Sequence, residues 1–263
     1  MPLLSCGGMR YQYKWQDVPG WQIPQDSQRN LAATINRAVE VGINHIETAR
    51  GYGTSELQLG KILPTYDRDR LIVQTKVTPQ DNAKEFQRKF EKSLANLKLD
   101  YVDLLSLHGI NEAETFHQSM RPGGCLEIAQ KLQAQGKVRF IGFSTHGATE
   151  TIVQTIETNQ FDYVNLHWYY IRQDNRPAIE RALAHDMGEP AAALAVAWCI
   201  AQGDHVIPIP GTRSTAHLAE LVRGAEISLS PGDLEAIDRV LPVGWAHGDR
   251  YSEDQWKGPE KYC

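Results

Sequence analysis

The chain has 263 residues, a formal net charge of −5 and a pI near 6.0. This length suits one domain with a substantial buried core. The mildly acidic balance, without a block of Lys and Arg, argues against nucleic acid or an anionic membrane as a partner. The chain has no leader-like start and no apolar run of about 18 residues, which predicts a cytoplasmic protein. The four cysteines form no CxxC pair, so we expect reduced thiols.

Short apolar segments alternate with amphipathic ones along the chain. The predicted strands are Leu3–Ser5, Asn44–Glu47, Leu71–Lys76, Val102–His108, Arg139–Ser144, Tyr163–His167 and residues 205–211. The predicted helices are Asp26–Val41, residues 56–63, Ala83–Leu97, residues 126–136, Thr149–Glu157, Pro177–His185, residues 189–203, Thr215–Gly224 and Pro231–Val240. Gly42 should end the first helix, and Ser55 should cap the second.

The predicted unit of one strand and one helix recurs roughly every 30 residues without a repeated sequence, which favours a barrel over a solenoid. Short, continuously apolar strands are typical of a parallel sheet that is buried on both faces. We therefore predict one α/β domain over residues 1–263, with a TIM-barrel-like (β/α)8 architecture.

Four side chains with acid–base chemistry stand at or just after the ends of successive predicted strands. Glu47 ends one strand and Tyr52 follows it in a glycine-flanked loop, while Lys76 and His108 end the next two. Taken singly, each has an ordinary structural explanation, such as an ion pair or simple packing. Together they predict one acid–base site, because consecutive parallel strands place their ends side by side. The histidines lack the short spacings of a zinc site, which argues against a metal-dependent hydrolase.

Several of these stretches resemble the aldo-keto reductase family, over nearly the whole chain. They are GINHIETARGYGTSE at Gly42–Glu56, the strands that end at Lys76 and His108, and GKVRFIGFSTHG at Gly136–Gly147. The resemblance implies an NADP(H)-dependent reductase of aldehydes or ketones in which Tyr52 is the general acid. Lys76 would lower the pKa of that phenol, Glu47 would hold Lys76, and His108 would orient the carbonyl. Glu47 departs from the aspartate that most of the family has.

The resemblance also implies a cofactor site that is altered in places. No GxGxxG motif follows a strand, so a Rossmann site is not expected. The positions that would contact the nicotinamide, the phosphates and the adenine are Ser144, Thr145, Asn165, Gly211, Thr212, Arg213, Ser214 and Glu220. Arg213 favours NADP over NAD, and Leu221 replaces a polar family residue. The candidate walls of the substrate pocket are Trp15, Trp21, Met120, Trp168 and Tyr169.

One segment departs from the family pattern. The family has a seventh strand and a long cofactor-contacting loop before the seventh helix, whereas here residues 185–188 run directly into the predicted helix 189–203. The two parts of the chain also resemble different branches of the family, so we interpret it as a chimera joined near Gly188. A barrel without one strand cannot keep its usual strand number, shear and tilt. A substitute segment could fill the gap, two chains could exchange elements, or the sheet could stay strained and partly open. An open edge favours a homodimer. The alternative function is a catalytically silent or engineered barrel scaffold, or a cofactor-binding protein with an impaired cofactor site.

Overall fold

The structure is a computed structural model that describes residues 3–166 and 187–240. Four sequence predictions lie outside these ranges: the last residue of the predicted strand Tyr163–His167, the predicted helix Pro177–His185, and the pocket residues Trp168 and Tyr169. None of the helices in the described ranges combines the length and the apolar character that a membrane span requires.

A five-stranded parallel sheet forms the centre of the protein, and its strands are neighbours in the order in which they occur in the chain. They are β1 (His45–Glu47), β2 (Ile72–Val77), β3 (Val102–His108), β4 (Val138–Thr145) and β5 (Tyr163–Leu166). The strands confirm the predicted alternation, because each is separated from the next by helical structure. Sequential parallel strands of this kind form the curved wall of a (β/α)8-like barrel.

Nine helices accompany these strands in the described ranges. They are α1 (Gln25–Glu40), α2 (Ser55–Leu59), α3 (Ala83–Leu97), α4 (Ala113–Met120), α5 (Cys125–Ala134), α6 (Thr149–Glu157), α7 (Ala191–Ala201), α8 (Thr215–Gly224) and α9 (Pro231–Val240). In α3 the apolar residues Phe86, Phe90, Leu94 and Leu97 recur at helical spacing and are all buried. They join the core that also holds Leu105 of β3.

Two segments extend the wall beyond β1 without forming regular strands. The Cys6 N–H donates to His45 O at 2.8 Å, and on the other side the Gly7 N–H donates to Pro210 O at 3.0 Å. The chain at residues 4–7 therefore lies between β1 and residues 208–211, with parallel bridges at Cys6–Ile46 and Gly7–Gly211. The prediction of regular strands at Leu3–Ser5 and at residues 205–211 is therefore wrong. Pro208 and Pro210 have no N–H, so this ladder is incomplete.

Two other predictions near the second helix are wrong. The helix α2 ends at Leu59 rather than at residue 63, with Gly60 as its C-cap. Gly60 lies so close to α3 that an added Cβ would come within 1.9 Å of Asn96 O. Thr54, not Ser55, occupies the N-cap position of α2. The Ser55 hydroxyl is instead within 2.7 Å of the Thr48 hydroxyl, which holds the loop after β1 against the start of the helix.

The region in which the family has its seventh strand is described only in part. The predicted seventh helix is confirmed as α7, and Pro190 precedes its first residue. Residues 187–205 contain no strand, so the described chain reaches residues 206–211 directly from α7. The chimera joined near Gly188 and the homodimer both stay predictions.

Candidate active site

A buried ion pair connects the ends of β1 and β2. The Lys76 ammonium contacts the Glu47 carboxylate, and both side chains are about 95% buried. Lys76 Nζ also lies 2.9 Å from Thr48 O and 3.2 Å from the Tyr52 hydroxyl. The other carboxylate oxygen of Glu47 accepts the Gly8 N–H at 2.8 Å. Glu47, Lys76 and Tyr52 therefore form one continuous chain of polar contacts.

Burial strongly affects Lys76. Its removal from water lowers the pKa of Lys76 well below the usual value for lysine. The contact with Glu47 acts in the opposite direction, because a neighbouring carboxylate favours the ammonium. These opposing effects leave a lysine whose charge depends on its carboxylate partner.

The His108 ring stands beside the Tyr52 ring, edge to face, with 5.8 Å between the ring centroids. Burial, followed by the positive charges of Lys76 and His146, lowers the pKa of His108 to about 3. His108 is therefore neutral at physiological pH. Its Nδ1 atom is buried and has no hydrogen-bond partner in the part of the chain that the structure describes.

Two loops hold Tyr52 in place. The hydroxyl of Thr54 accepts the Tyr13 N–H at 2.9 Å, and the Thr54 N–H donates to Lys14 O at 3.0 Å. The loop after residues 4–7 is thereby fixed to the loop that carries Tyr52. Its Trp15 ring meets the Tyr52 ring edge to face, with centroids 6.4 Å apart. Gly53 is needed here, since its φ is +51° and an added Cβ would lie 2.0 Å from Lys14 O.

An ion-pair cluster stabilises the loop that carries Tyr52. Arg50 Nη1 donates to the fully buried Glu56 at 2.7 Å, and Arg50 also contacts Asp17. Glu56 accepts two further hydrogen bonds, from Thr75 at 2.8 Å and from Asn96 at 3.1 Å. The buried carboxylate is therefore well satisfied, and Arg50 connects the core to the Asp17 loop.

The predicted nicotinamide contacts lie at the ends of β4 and β5. Ser144 is the register partner of His108 on one side and of Asn165 on the other. These three side chains therefore form one row across the strand ends. Thr145 points elsewhere, because its buried hydroxyl donates to Ile110 O at 2.6 Å and fixes the loop after β3.

The predicted phosphate contacts lie next to residues 4–7, where Gly211 pairs with Gly7. Gly211, Thr212, Arg213 and Ser214 line a pocket of about 390 Å³ whose other lining residues are Arg10, Gln12 and His217. Ser214 is the N-cap of α8 and accepts the His217 N–H at 3.4 Å. A helix start with two arginines suits an anion. Glu220 lies on α8 outside the pocket lining.

Sequence reasoning missed Arg10, Gln12 and His217 as pocket residues. Arg10 and Gln12 follow the segment that forms the bridge between Gly7 and Gly211, so only long-range pairing brings them to α8. Gln12 Oε1 is buried and lacks a hydrogen-bond partner within the described residues. The spacing of Ser214 and His217 across one helical turn was the one local signal that could have identified His217.

The fold and the site together define an α/β-barrel protein with a buried Glu–Lys–Tyr chain and a neutral histidine at its strand ends. The aldo/keto reductase family matches residues 3–153 and 172–242 of the sequence. The chain belongs to this family, and it is an enzyme of the oxidoreductase class.

Individual relatives agree with this assignment. The chain is 28% identical over 267 residues to pyridoxine 4-dehydrogenase of Escherichia coli, with 82% of this chain and 88% of the relative covered. It is 26% identical over 265 residues to methylglyoxal reductase YeaE of the same organism, with 85% and 89% covered. An aldo-keto reductase of Klebsiella pneumoniae, solved in complex with NADPH, has the same fold with a TM-score of 0.69 at 21% identity, and 92% of each chain is covered.

Proposed function

We propose that the protein is an NADP(H)-dependent carbonyl reductase in which the Tyr52 hydroxyl protonates the carbonyl oxygen of an aldehyde or ketone. The observation that supports this best is the placement of the buried Lys76 ammonium, 3.2 Å from the Tyr52 hydroxyl and in contact with Glu47. A phenol with a normal pKa near 10 is a poor acid at neutral pH. A neighbouring ammonium stabilises the phenolate and so makes Tyr52 a stronger acid.

The donors of Lys76 determine the direction of proton transfer. An ammonium has three N–H donors, and the three oxygens around Nζ belong to Thr48, Glu47 and Tyr52. One N–H therefore points at the phenol oxygen, which must accept it. The O–H of Tyr52 is then directed away from Lys76, so that it can donate to the carbonyl oxygen of a substrate. Glu47, whose second oxygen accepts the Gly8 N–H, keeps the ammonium charged and in place.

His108 supplies a second contact for the substrate oxygen. Its ring lies beside Tyr52, and its pKa of about 3 keeps it neutral. A neutral imidazole donates one hydrogen bond without competing with Tyr52 as the acid. The carbonyl oxygen would therefore sit between two donors, the Tyr52 O–H and a ring N–H of His108.

The cofactor site fits a phosphorylated dinucleotide. When bound, NADPH supplies the hydride for the carbonyl carbon. The pocket at Gly211–Ser214 combines the start of α8 with Arg10 and Arg213, which suits phosphate groups. The row formed by Ser144 and Asn165 would hold the nicotinamide end. The aldo-keto reductase of Klebsiella pneumoniae with the same fold was solved with NADPH, which supports the same cofactor here.

The substrate class is a small aldehyde or activated ketone. The relatives named pyridoxine 4-dehydrogenase and methylglyoxal reductase act on small carbonyl compounds or the matching alcohol. In this chain Trp15 is 53% exposed and touches the Tyr52 ring, so a flat apolar surface borders the reacting position. A planar aromatic aldehyde is therefore a suitable first substrate.

The test combines cofactor binding with turnover. NADPH and NADH are titrated by fluorescence, and NADPH oxidation is followed with an aromatic aldehyde for the wild type and for Tyr52→Phe. We expect tighter binding of NADPH than of NADH, and no turnover by Tyr52→Phe. Tyr101→Phe, which changes a tyrosine packed against Arg68 near the start of β3, is the matched control. A cooperatively folded wild type that binds neither cofactor would support the silent scaffold instead.

A further inference from the structure

A polar network crosses the interior of the barrel wall just below the strand ends. The side-chain amide of Gln74 connects His45 of β1 with Asn165 of β5. Gln74 Oε1 lies 3.1 Å from His45 Nε2, and Gln74 Nε2 lies 2.7 Å from Asn165 Oδ1. Ser106 Oγ donates to the same Asn165 oxygen at 3.0 Å. The Tyr163 hydroxyl completes the network, 3.0 Å from Ser106 Oγ.

The tautomer of His45 sets the orientation of the Gln74 amide and, through it, that of Asn165. His45 is buried, and its Nδ1 has no partner among residues 3–166 and 187–240. A buried N–H without a partner is rarer than a lone pair without one, so the proton belongs on Nε2. Burial also lowers the pKa of His45 to about 4, which keeps the ring neutral. His45 Nε2 then donates to Gln74, and the Gln74 amide must direct its NH2 group at Asn165.

The orientation of Asn165 follows from that of Gln74. Its amide oxygen already accepts hydrogen bonds from Gln74 and Ser106, so this oxygen is turned into the barrel. The NH2 group is on the opposite branch of the amide. An amide turned this way would present its NH2 group to the row at the strand ends, because Asn165 is the register partner of Ser144, which pairs with His108.

We propose that His45 and Gln74 are positioning residues that fix Asn165 as a hydrogen-bond donor, so that it binds the carbonyl oxygen of the nicotinamide carboxamide and not its amine. This inference rests on the proposed function, because it assumes a nicotinamide cofactor. It specifies which atom of the carboxamide Asn165 recognises, and it assigns a role to two buried residues that take no part in proton transfer.

The first experiment tests the polarity of the contact. Asn165→Asp keeps an oxygen for Gln74 and Ser106 but replaces the NH2 group with a second acceptor. We expect it to raise the NADPH dissociation constant about tenfold. It should raise the constant for the reduced 3-acetylpyridine analogue of NADPH by the same factor, because that analogue keeps the carbonyl oxygen and lacks the amine. Unchanged NADPH binding in the folded variant would overturn the inference, as would a loss for NADPH without any loss for the analogue.

The second experiment tests positioning by Gln74. Gln74→Met removes both hydrogen-bonding groups at nearly constant volume and should weaken NADPH binding several-fold. The same substitution in an Asn165→Ala background should have no further effect on the dissociation constant. Equal effects in both backgrounds would show that Gln74 acts only through general packing, and would overturn its positioning role. Gln133→Met is the matched control, since the Gln133 amide binds Arg139 O near the start of β4.

The outcomes separate this inference from the proposed function. A wild type that binds no nicotinamide cofactor would refute the reductase itself. A different result would refute only the positioning network. In that case the wild type binds NADPH and reduces aldehydes, but Asn165→Asp and Gln74→Met behave like the wild type, so the proposed reductase function still stands. Thermal unfolding of each variant identifies any loss that comes from misfolding. Because Asn165→Asp alters a half-buried side chain and keeps both internal contacts, it remains informative if Gln74→Met does not fold.

Discussion

The contact between Lys76 and Tyr52 gives the strongest test of the proposed chemistry. Lys76→Met removes the ammonium while it retains most of the side-chain volume. If Lys76 makes Tyr52 a stronger acid, the variant should fold but reduce aldehydes far more slowly. Cofactor binding should change little, because the pocket at α8 and the row at Asn165 do not include Lys76.

The size of the effect follows from the distance of 3.2 Å between Nζ and the phenol oxygen. Two unit charges at this separation interact by about 5 kcal/mol at an effective dielectric constant of about 20. That energy corresponds to an upper limit near four orders of magnitude in rate. The phenol carries only a partial charge in the transition state, which makes the effect smaller than this limit. We therefore expect a loss of about 10³-fold in kcat/KM.

The same substitution should destabilise the fold, since it leaves the Glu47 carboxylate buried without its ammonium. Breaking one side of a buried pair costs about 3–5 kcal/mol. The double variant Lys76→Met with Glu47→Gln removes the unpaired charge and keeps an acceptor for the Gly8 N–H. It should therefore recover much of the stability and none of the activity. NADPH oxidation and thermal unfolding measure the two effects separately, and wild-type kcat/KM in folded Lys76→Met would refute the assigned role of Lys76.

Three further predictions concern pH, the loop of Tyr52 and the opposite end of the sheet. The pKa of His108 is about 3, so its ionisation should not affect kcat/KM for reduction between about pH 5 and 8. The pKa of Lys76 is lowered, so kcat/KM should fall as the pH rises through that pKa and the ammonium is lost. A rise with pH that His108→Gln abolishes would contradict this. Gly53→Ala should lower Tm and cost at least about tenfold in kcat/KM, whereas Gly20→Ala, with open space around it, should do neither. Asp103→Asn should reduce the free energy of unfolding by about 3 kcal/mol, because the buried carboxylate binds two arginines. NADPH affinity should be unchanged in a binding titration. A variant as stable as the wild type would contradict this prediction.

The sequence predicts the regular elements well where apolar periodicity is strong. Helix α3 is an example, because its apolar side chains recur on one face and all face the core. Helix α4 was not predicted, since its sequence AETFHQSM shows no clear apolar face. Its start is stabilised by a capping box between Glu112 and Thr115, and its packing against α5 is a tertiary effect that no local pattern reveals.

The same distinction, between local sequence patterns and tertiary contacts, applies to the residues of the candidate site. Glu47, Lys76 and His108 could be predicted together, because the ends of successive parallel strands must be neighbours. Thr145 is different, because its hydroxyl binds the loop after β3, and neither the position nor the residue type indicates this. Arg10 could not have been found either, since it reaches the pocket only through the pairing of Gly7 with Gly211, at opposite ends of the chain.

The proposed acid–base site and the proposed phosphate pocket depend on different parts of the chain, and residues 4–8 connect them. The first part of this segment pairs with Pro208 and Pro210, while the Gly8 N–H binds Glu47. An added Cβ on Gly8 would lie 2.2 Å from the backbone oxygen of Glu47, so the segment can approach the end of β1 this closely only with glycine there. The three polar partners of the Lys76 ammonium, Thr48, Tyr52 and Glu47, lie far before position 188 in the chain. An altered junction near Gly188 would therefore weaken cofactor binding first, through residues 208–214, and would leave the Glu47–Lys76–Tyr52 chain in place.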